Sequence, residues 1–174
     1  MNFFVIGMPR SRTAWLANFL TYEKICFHEG LDGCNNLLEY TNKLGTENGD
    51  SSTALMMFDI DKLYPDSPKL IIDSDIQRTI DYAEQVFGFC DQEFFETLQK
   101  QLNKINGKHI DFNDIDSNLK EIWDYLIGTP FNQERANILK RMRIEVKNPY
   151  DYDDNSIKNL LMDLNYVPKT RYHH

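Results

Sequence analysis

The sequence predicts an α/β fold in which a parallel sheet lies between two layers of helices, with a helical C-terminal half. Short apolar runs alternate with segments of helical periodicity over the first 90 residues, as expected for a parallel sheet. The second half is mainly helical by its period, and its helices are expected to pack against one edge of that sheet. We therefore expect a three-layer α/β/α domain over 1–174, with the core sheet in 1–90, a helical part in 91–141 and a terminal strand and helix in 142–174.

Composition and charge limit what the chain can do. With 174 residues, 41% of them hydrophobic, it can form one domain with a proper core, and its net charge of −8 repels a polyanion. We therefore expect no nucleic-acid partner. Three cysteines without a CxxC pair favour a reducing cytoplasm over a disulfide framework. Since no long apolar run and no signal-peptide layout are found, we expect a cytoplasmic protein with no membrane partner.

The first half contains three predicted strands and four predicted helices. Apolar, β-favouring runs predict strands at 2–6, 25–27 and 69–73. Helical spacing predicts a helix that begins at Thr13, and further helices over 34–44, 54–64 and 75–87. The polar segment GTENGDSS, residues 45–52, is rich in turn-forming residues, so we expect a loop there.

In the second half, the period predicts helices over 91–105 and 114–127, with Asp91 and Asp114 as N-caps. A further helix is expected from about Asn132 onward. The segment RIEV, residues 143–146, is predicted to be a last strand, followed by a final helix over 155–164. His109 lies in a polar break between helices and receives no functional role.

The loop after the first predicted strand is typical of an anion-binding site. A strand, a tight loop and a helix N-terminus turn backbone amides and the positive end of the helix dipole toward one point. Aligned from Gly7 with the Walker A pattern G-x-x-x-x-G-K-[ST], the loop reads G-M-P-R-S-R-T-A. Thr13 replaces the lysine and Ala14 replaces the magnesium-binding hydroxyl. The loop therefore predicts a P-loop-type fold without the chemistry of an ordinary ATPase or kinase.

The segment GMPRSRTAWL resembles the G-x-P-[RK]-S-G-T-[ST]-[WL]-L loop of sulfotransferases. That loop holds the phosphosulfate of 3′-phosphoadenosine 5′-phosphosulfate (PAPS) without magnesium, so the resemblance implies PAPS as co-substrate and no metal. It implies that Arg10 neutralises the sulfonate or bridging oxygen, while loop amides and hydroxyls hold the 5′-phosphate. The donor-binding residues implied in this loop are Gly7, Pro9, Arg10, Ser11, Arg12 and Thr13. Arg12 stands where the family has glycine, and either adds a second cation or forces the loop open.

Two further segments carry the same resemblance in the same order. GDSSTALMMFDIDKLYPDSPKLIIDSDIQRTI is similar to the family's G-x-S-D-S-G-L stretch and the strand that follows it, and PFNQERANILKRMRIEV is similar to a late segment of short bacterial and phage members. The family binds the 3′-phosphate through an arginine after that strand. Ser74 occupies this position, beside Asp73 and Asp75, so Arg78, Arg141 or Arg143 are the cations that would replace it.

A candidate base follows the second predicted strand, in CFHEGLD. Because the carboxyl end of this strand lies beside the first loop in a parallel sheet, His28 or Glu29 would approach the sulfonate and take a proton from an acceptor. Adjacent residues of an extended segment point in opposite directions, so one of the two is expected to face the site. Asp32 is expected to orient the histidine. The catalytic candidates are therefore Arg10, His28 and Glu29.

The leading functional hypothesis is a sulfotransferase-like protein that transfers a sulfonate from PAPS to an unknown small-molecule or glycan acceptor. A second hypothesis is a phosphate- or nucleotide-binding protein that has kept the anion loop and lost turnover or changed donor. A nucleotide kinase with a degenerate loop is the third, disfavoured by the missing lysine and hydroxyl. The exposed helical half is also compatible with a homodimer.

Overall fold

Five strands alternate with seven α-helices in the computed structural model, which describes residues 1–88 and 90–140. The strands are β1 (Phe3–Gly7), β2 (Cys26–His28), β3 (Gly49–Ser52), β4 (Lys69–Asp73) and β5 (Lys108–Asp111). The helices are α1 (Thr13–Leu20), α2 (Leu37–Leu44), α3 (Ile60–Leu63), α4 (Ile76–Phe87), α5 (Gln92–Leu102), α6 (Leu119–Leu126) and α7 (Gln133–Lys140). Two 3-10 turns add Ala54–Met57 and Phe112–Ser117. The predicted strand 143–146, the predicted helix 155–164, Arg141 and Arg143 lie outside the described residues.

All five strands are parallel, in the order β2-β3-β1-β4-β5. This confirms the predicted α/β fold. In the register of the sheet, Val5 of β1 lies between Ser51 of β3 and Leu70 of β4. The chain leaves β1 at the centre of the sheet and reaches β2 at one edge before returning. The carboxyl end of β1 therefore lies where neighbouring connections diverge, which is the usual ligand position in such sheets.

Alternation along the strands divides the apolar core into two layers. Phe3 and Val5 of β1 pack on one face, and Phe4 and Ile6 pack on the other, since successive side chains of a strand point in opposite directions. The first face is covered by α1, α6 and α7, and the second by α2, the 3-10 turn Ala54–Met57 and α5. The apolar spacing that predicted these helices thus corresponds to their buried faces.

The predicted loop over 45–52 is confirmed for residues 45–48 and was wrong for Gly49–Ser52, which is the fully buried strand β3 between β1 and β2. Its polar side chains find partners inside the protein. The Ser51 hydroxyl donates to the carbonyl oxygen of Thr13 at 2.8 Å, and the Ser52 hydroxyl donates to the Glu29 carboxylate at 2.7 Å. The pattern did not predict a strand because hydrogen bonds, rather than apolar side chains, hold it in the core.

Three further boundaries differ from prediction. The segment predicted to be helical after residue 90 contributes β5, an edge strand in which Ile110 is the buried residue, so the sheet extends beyond 1–90. The predicted helix 114–127 is a 3-10 turn followed by α6, and Asp114 is not its N-cap. The predicted helix 54–64 is likewise a 3-10 turn followed by one turn of α3. Asp59 interrupts it, accepting a hydrogen bond from the Lys62 amide.

Several predicted helix ends are confirmed. The Asp75 carboxylate accepts a hydrogen bond from the Gln77 amide at the start of α4, and Gly88 ends the helix in a left-handed conformation. Asp91 caps α5 in the same way. Among the described residues, no helix has both the length and the apolar character needed to cross a membrane.

Helix α7 stabilises α1 through a buried arginine. Arg135 is 2% exposed, and its guanidinium donates hydrogen bonds to the carbonyl oxygens of Asn18, Phe19 and Thr21 at the C-terminal end of α1. The cation thus satisfies carbonyl groups that have no partner within the helix, and it lies at the negative end of the helix dipole. The same guanidinium stacks 5.6 Å from the Trp123 ring centroid.

Candidate active site

The loop between β1 and α1 is tightly packed at Gly7, where it begins. A Cβ added to Gly7 would lie 2.3 Å from the Ser11 hydroxyl oxygen and 3.1 Å from Ile72 Cβ, so no larger residue fits without a shift. The Ser11 amide donates to the carbonyl oxygen of Met8 at 3.1 Å, which closes the turn. The Ser11 side chain is 0% exposed, and its hydroxyl has no hydrogen-bond partner among the described residues. An anion bound in this loop could therefore accept a hydrogen bond from the Ser11 hydroxyl.

Two arginines of the loop have positive φ angles, 71° at Arg10 and 66° at Arg12. Non-glycine residues rarely adopt this conformation, which costs about 1–2 kcal/mol. Arg12 therefore takes a left-handed conformation that glycine adopts without strain, and the turn closed by the Ser11 amide is retained. This decides the question raised by the sequence, since the substitution does not force the loop open.

At the N-terminus of α1, the first amides have no hydrogen-bond partner among the described residues. The Leu16 amide donates to the carbonyl oxygen of Arg12 at 2.9 Å, so the amides of residues 12–15 precede this first intrahelical hydrogen bond. Arg12 is the N-cap residue, but within residues 1–88 and 90–140 its side chain makes no capping hydrogen bond, and the first turn has no acidic residue. The positive end of the helix dipole is thus left for a ligand anion.

Three of the predicted cations lie among the described residues, and each contacts an aromatic ring. The Arg10 guanidinium lies 4.6 Å from the Tyr82 ring centroid of α4. Arg12 lies 4.4 Å from the Trp15 ring centroid and forms a 2.9 Å ion pair with Asp116. Arg78 lies 3.8 Å from the ring centroid of Phe112.

Helix α4 fixes the position of the loop. The hydroxyl of Thr79, which is buried, donates to the carbonyl oxygen of Pro9 at 2.9 Å. Ser74, between β4 and α4, has a buried hydroxyl oxygen with no partner among the described residues. Beside it, Asp73 accepts hydrogen bonds from the His109 ring at 3.0 and 3.1 Å. The sequence reasoning missed both Thr79 and His109, because their partners are 70 and 36 residues away in sequence.

His28 lies at the carboxyl end of β2 with its ring oriented by β3. Its Nδ1 atom is 3.0 Å from the carbonyl oxygen of Ser51. Since a carbonyl oxygen accepts and never donates, Nδ1 carries the hydrogen, and Nε2 is the basic nitrogen of the neutral ring. The prediction that Asp32 orients the histidine was wrong, because the Ser51 carbonyl does so.

The Glu29 carboxylate binds the chain at the end of β3. One carboxylate oxygen accepts from the Thr53 amide at 2.9 Å, and the other accepts from the Ser52 hydroxyl at 2.7 Å. These contacts cap the 3-10 turn that follows β3. The two adjacent candidates for a base thus differ in their contacts, because His28 binds a backbone carbonyl through Nδ1 while both carboxylate oxygens of Glu29 bind the chain beyond β3.

A buried carboxyl group lies next to this region. Asp50, on β3, is fully buried and accepts hydrogen bonds from the Gly30 amide and the Tyr40 hydroxyl, each at 3.0 Å. Burial raises the pKa of Asp50 to about 7, with a smaller contribution from the charge of Glu29, although both donated hydrogen bonds lower it. Burial and Asp50 together raise the pKa of Tyr40 far above its usual value. Asp50 thus anchors the turn that follows His28.

The structure brings the loop, α4 and the ends of β2 and β3 together on the side of the sheet where the strands have their carboxyl ends. Ser51 joins two of these parts, since its carbonyl oxygen binds His28 while its hydroxyl binds Thr13. The sequence contained a weak signal for this link, namely the paired serines in the polar segment. Within residues 1–88 and 90–140, no group of three or more metal-binding side chains converges.

No protein-family model matches the sequence, and no curated protein sequence matches it significantly. Among solved structures, the fold is similar to that of mouse sulfotransferase SULT7A1 complexed with PAP. The two structures superpose with a TM-score of 0.54 and 15% sequence identity, over 80% of this chain and 62% of the mouse chain. The chain thus spans less than two thirds of that protein. At this identity the similarity concerns the architecture alone, and it identifies the parallel sheet with its flanking helices as a sulfotransferase-like fold.

Proposed function

We propose that the protein binds PAPS at the loop between β1 and α1 and transfers its sulfonate to an acceptor hydroxyl or amine. The observation that carries this proposal is the loop itself, in which, as far as the structure describes the chain, the buried Ser11 hydroxyl lacks a hydrogen-bond partner and the N-terminus of α1 lacks a side-chain cap. A structure with the same architecture is complexed with PAP, which is the form of the donor left after transfer. Arg10, exposed at the rim of the loop, is the cation that would neutralise charge on the sulfonate or on the bridging oxygen, and PAP keeps that oxygen on its 5′-phosphate.

In the proposed reaction, the acceptor oxygen or nitrogen attacks sulfur while the bond between sulfur and the bridging phosphate oxygen breaks. PAP leaves with the bonding electrons, and the acceptor proton passes to Nε2 of His28. Such transfers depend on positioning and charge neutralisation more than on covalent catalysis. The loop amides would hold the 5′-phosphate, and the orientation of His28 by Ser51 would keep its basic nitrogen available. The acceptor is proposed to be a small molecule or a glycan.

A second candidate function is anion binding without transfer from PAPS. It is favoured by the end of β4, where Ser74 lies between Asp73 and Asp75 and no arginine occupies the position implied for the 3′-phosphate. Although Asp73 binds the His109 ring and Asp75 caps α4, both carboxylates add negative charge that would repel a 3′-phosphate at this point. A donor without that group, such as adenosine 5′-phosphosulfate, would avoid the repulsion.

Calorimetric titration with PAP, adenosine 5′-phosphosulfate, and ATP with magnesium separates these proposals. Magnesium-independent binding of PAP that is lost in Arg10→Ala and largely retained in Arg10→Lys would support PAPS as the donor. Binding of adenosine 5′-phosphosulfate alone would replace PAPS with a simpler donor. Unchanged PAP affinity in Arg10→Ala would exclude the proposed role of the loop arginine. Transfer of labelled sulfonate from PAPS to a panel of hydroxyl and amine acceptors then tests turnover.

A further inference from the structure

We propose that Asp116 controls the positive charge that the loop presents to a bound anion, because it holds the Arg12 guanidinium outside the loop. This inference rests on the anion site of the proposed function and concerns its selectivity. The resembled sulfotransferase loop has a glycine where this chain has Arg12, and the resemblance implies no role for Asp116.

The backbone of Arg12 belongs to the loop, whereas its charged guanidinium lies against other parts of the protein. The Arg12 backbone forms the end of the loop and the N-cap of α1, with φ at 66°. Its guanidinium is directed away, toward the Trp15 ring at 4.4 Å and the Asp116 carboxylate at 2.9 Å. Asp116 belongs to the 3-10 turn Phe112–Ser117, on the first face of the sheet near α6. One long side chain thus joins the loop to a turn that is 104 residues away in sequence.

The ion pair is of a kind that a ligand can displace. The Arg12 side chain is 24% exposed and that of Asp116 is 55% exposed, and ion pairs in such surroundings are weak. An anion with several charges in the loop would compete with Asp116 for the guanidinium. A single sulfonate or phosphate group can instead be held by the amides, the Ser11 hydroxyl and Arg10.

The same turn also contacts a second cation near the site. Phe112, its first residue, stacks under the Arg78 guanidinium at 3.8 Å. The turn Phe112–Ser117 therefore contacts two of the predicted cations, Arg12 through a carboxylate and Arg78 through an aromatic ring. Neutralising the carboxylate would release Arg12 toward the ligand and leave the contact between Arg78 and Phe112 in place.

The test compares the affinities of the full chain and its variants for inorganic pyrophosphate and inorganic sulfate by calorimetry. We expect Asp116→Asn to bind pyrophosphate about tenfold more tightly than the unaltered protein, with a smaller change for sulfate. Asp114→Asn is the matched control, because it removes the same charge from the same turn without removing the partner of Arg12. It should change pyrophosphate affinity less than about twofold. The double variant Arg12→Ala with Asp116→Asn should lose the gain.

Equal pyrophosphate affinities of Asp116→Asn and Asp114→Asn would overturn the inference, as would a gain that persists without Arg12. Both results can be obtained whether or not the protein transfers sulfonate. Pyrophosphate binding that responds to Asp116 without any transfer from PAPS would remove the proposed enzyme function and leave this inference intact. Absence of anion binding in every folded variant would remove both.

Discussion

The carbonyl oxygen of Ser51 accepts a hydrogen bond from Nδ1 of His28, 3.0 Å away. The hydroxyl of the same serine donates to the carbonyl oxygen of Thr13, the first residue of α1, at 2.8 Å. One residue of a central strand thus sets the histidine ring and the helix N-terminus relative to each other. Because the backbone carbonyl binds Nδ1, the ring keeps Nε2 as its basic nitrogen, and this arrangement would survive replacement of the serine side chain.

His28 and Glu29 are adjacent, and their substitutions should have different effects. His28→Gln should reduce the rate of sulfonate transfer by at least about a hundredfold with little change in PAP affinity, because it removes the proposed base. Glu29→Gln should lower the free energy of unfolding by about 1–3 kcal/mol, since an amide cannot accept from both the Thr53 amide and the Ser52 hydroxyl as the carboxylate does. Transfer kinetics and urea denaturation measure the two effects. A folded Glu29→Gln protein that binds PAP normally but has lost transfer would make Glu29 the base.

Asp50 should make the stability of the protein depend on pH. Its pKa is about 7 in the fold, against about 4 in an unfolded chain, so between these values the folded protein keeps a proton that the unfolded chain has lost. The free-energy contribution of this group to folding is therefore largest below pH 4, falls as the pH rises, and is lowest above pH 7. The difference is on the order of 4 kcal/mol, because the pKa changes by about three units and each unit corresponds to about 1.4 kcal/mol.

Asp50→Asn should remove this dependence. The asparagine can still accept from the Gly30 amide and can donate to the Tyr40 oxygen, so its shape and hydrogen bonds are kept without the charge. Relative to the unaltered protein, we expect the variant to become progressively more stable as the pH is raised from 4 to 8 in urea denaturation. A stability difference that stays constant over this range would mean that the Asp50 carboxyl does not titrate there.

Arg12 should be better replaced by glycine than by alanine. Both substitutions remove the ion pair with Asp116 and the contact with Trp15, so the difference between them reflects the backbone alone. Because residue 12 has a φ of 66°, we expect Arg12→Gly to be more stable than Arg12→Ala by about 1 kcal/mol. Thermal denaturation of the two variants measures this difference. Equal stability, or a more stable alanine variant, would contradict the left-handed conformation at this position.

Arg135 should be sensitive even to a change that keeps its charge. Lysine lacks the planar fork that reaches the carbonyl oxygens of Asn18, Phe19 and Thr21, so Arg135→Lys should lower the free energy of unfolding by about 2–3 kcal/mol. Lys140→Met, which removes an exposed cation from the same helix, should cost less than about 0.5 kcal/mol in the same urea denaturation series. A similar small effect for both would show that Arg135 does not support α1.

The parts of the fold that sequence predicts well are those held by apolar side chains. Strands β1 and β4 are predicted almost residue by residue, because Phe4, Ile6 and Ile71 bury themselves through the hydrophobic effect alone. Strand β5 was missed because one buried residue, Ile110, produces no alternation. Strand β3 was missed because its stability comes from partners elsewhere in the chain, which a local pattern does not contain.

For the candidate site, the loop was predictable and its surroundings were not. Gly7, Pro9 and Arg10 are close in sequence, so their spacing alone indicates an anion-binding loop. The pairs that define the surroundings, such as Arg12 with Asp116 and Thr79 with Pro9, form only after the chain has folded. A local sequence pattern does not contain such pairs, so it also could not show that His28 and Glu29 have different hydrogen-bond partners.

The polar character of β3 has a consequence for the order of folding. Gly49–Ser52 brings no large apolar side chain to the sheet, so its burial is favourable only when Tyr40, Gly30 and the N-terminus of α1 are in place to satisfy it. We therefore expect β1 and β4, with their apolar contacts, to associate first, and β3 to enter the sheet late, bringing β2 with it. The half of the sheet that contains His28 would then be the last to gain protection from hydrogen exchange during refolding, and the first to lose it on opening.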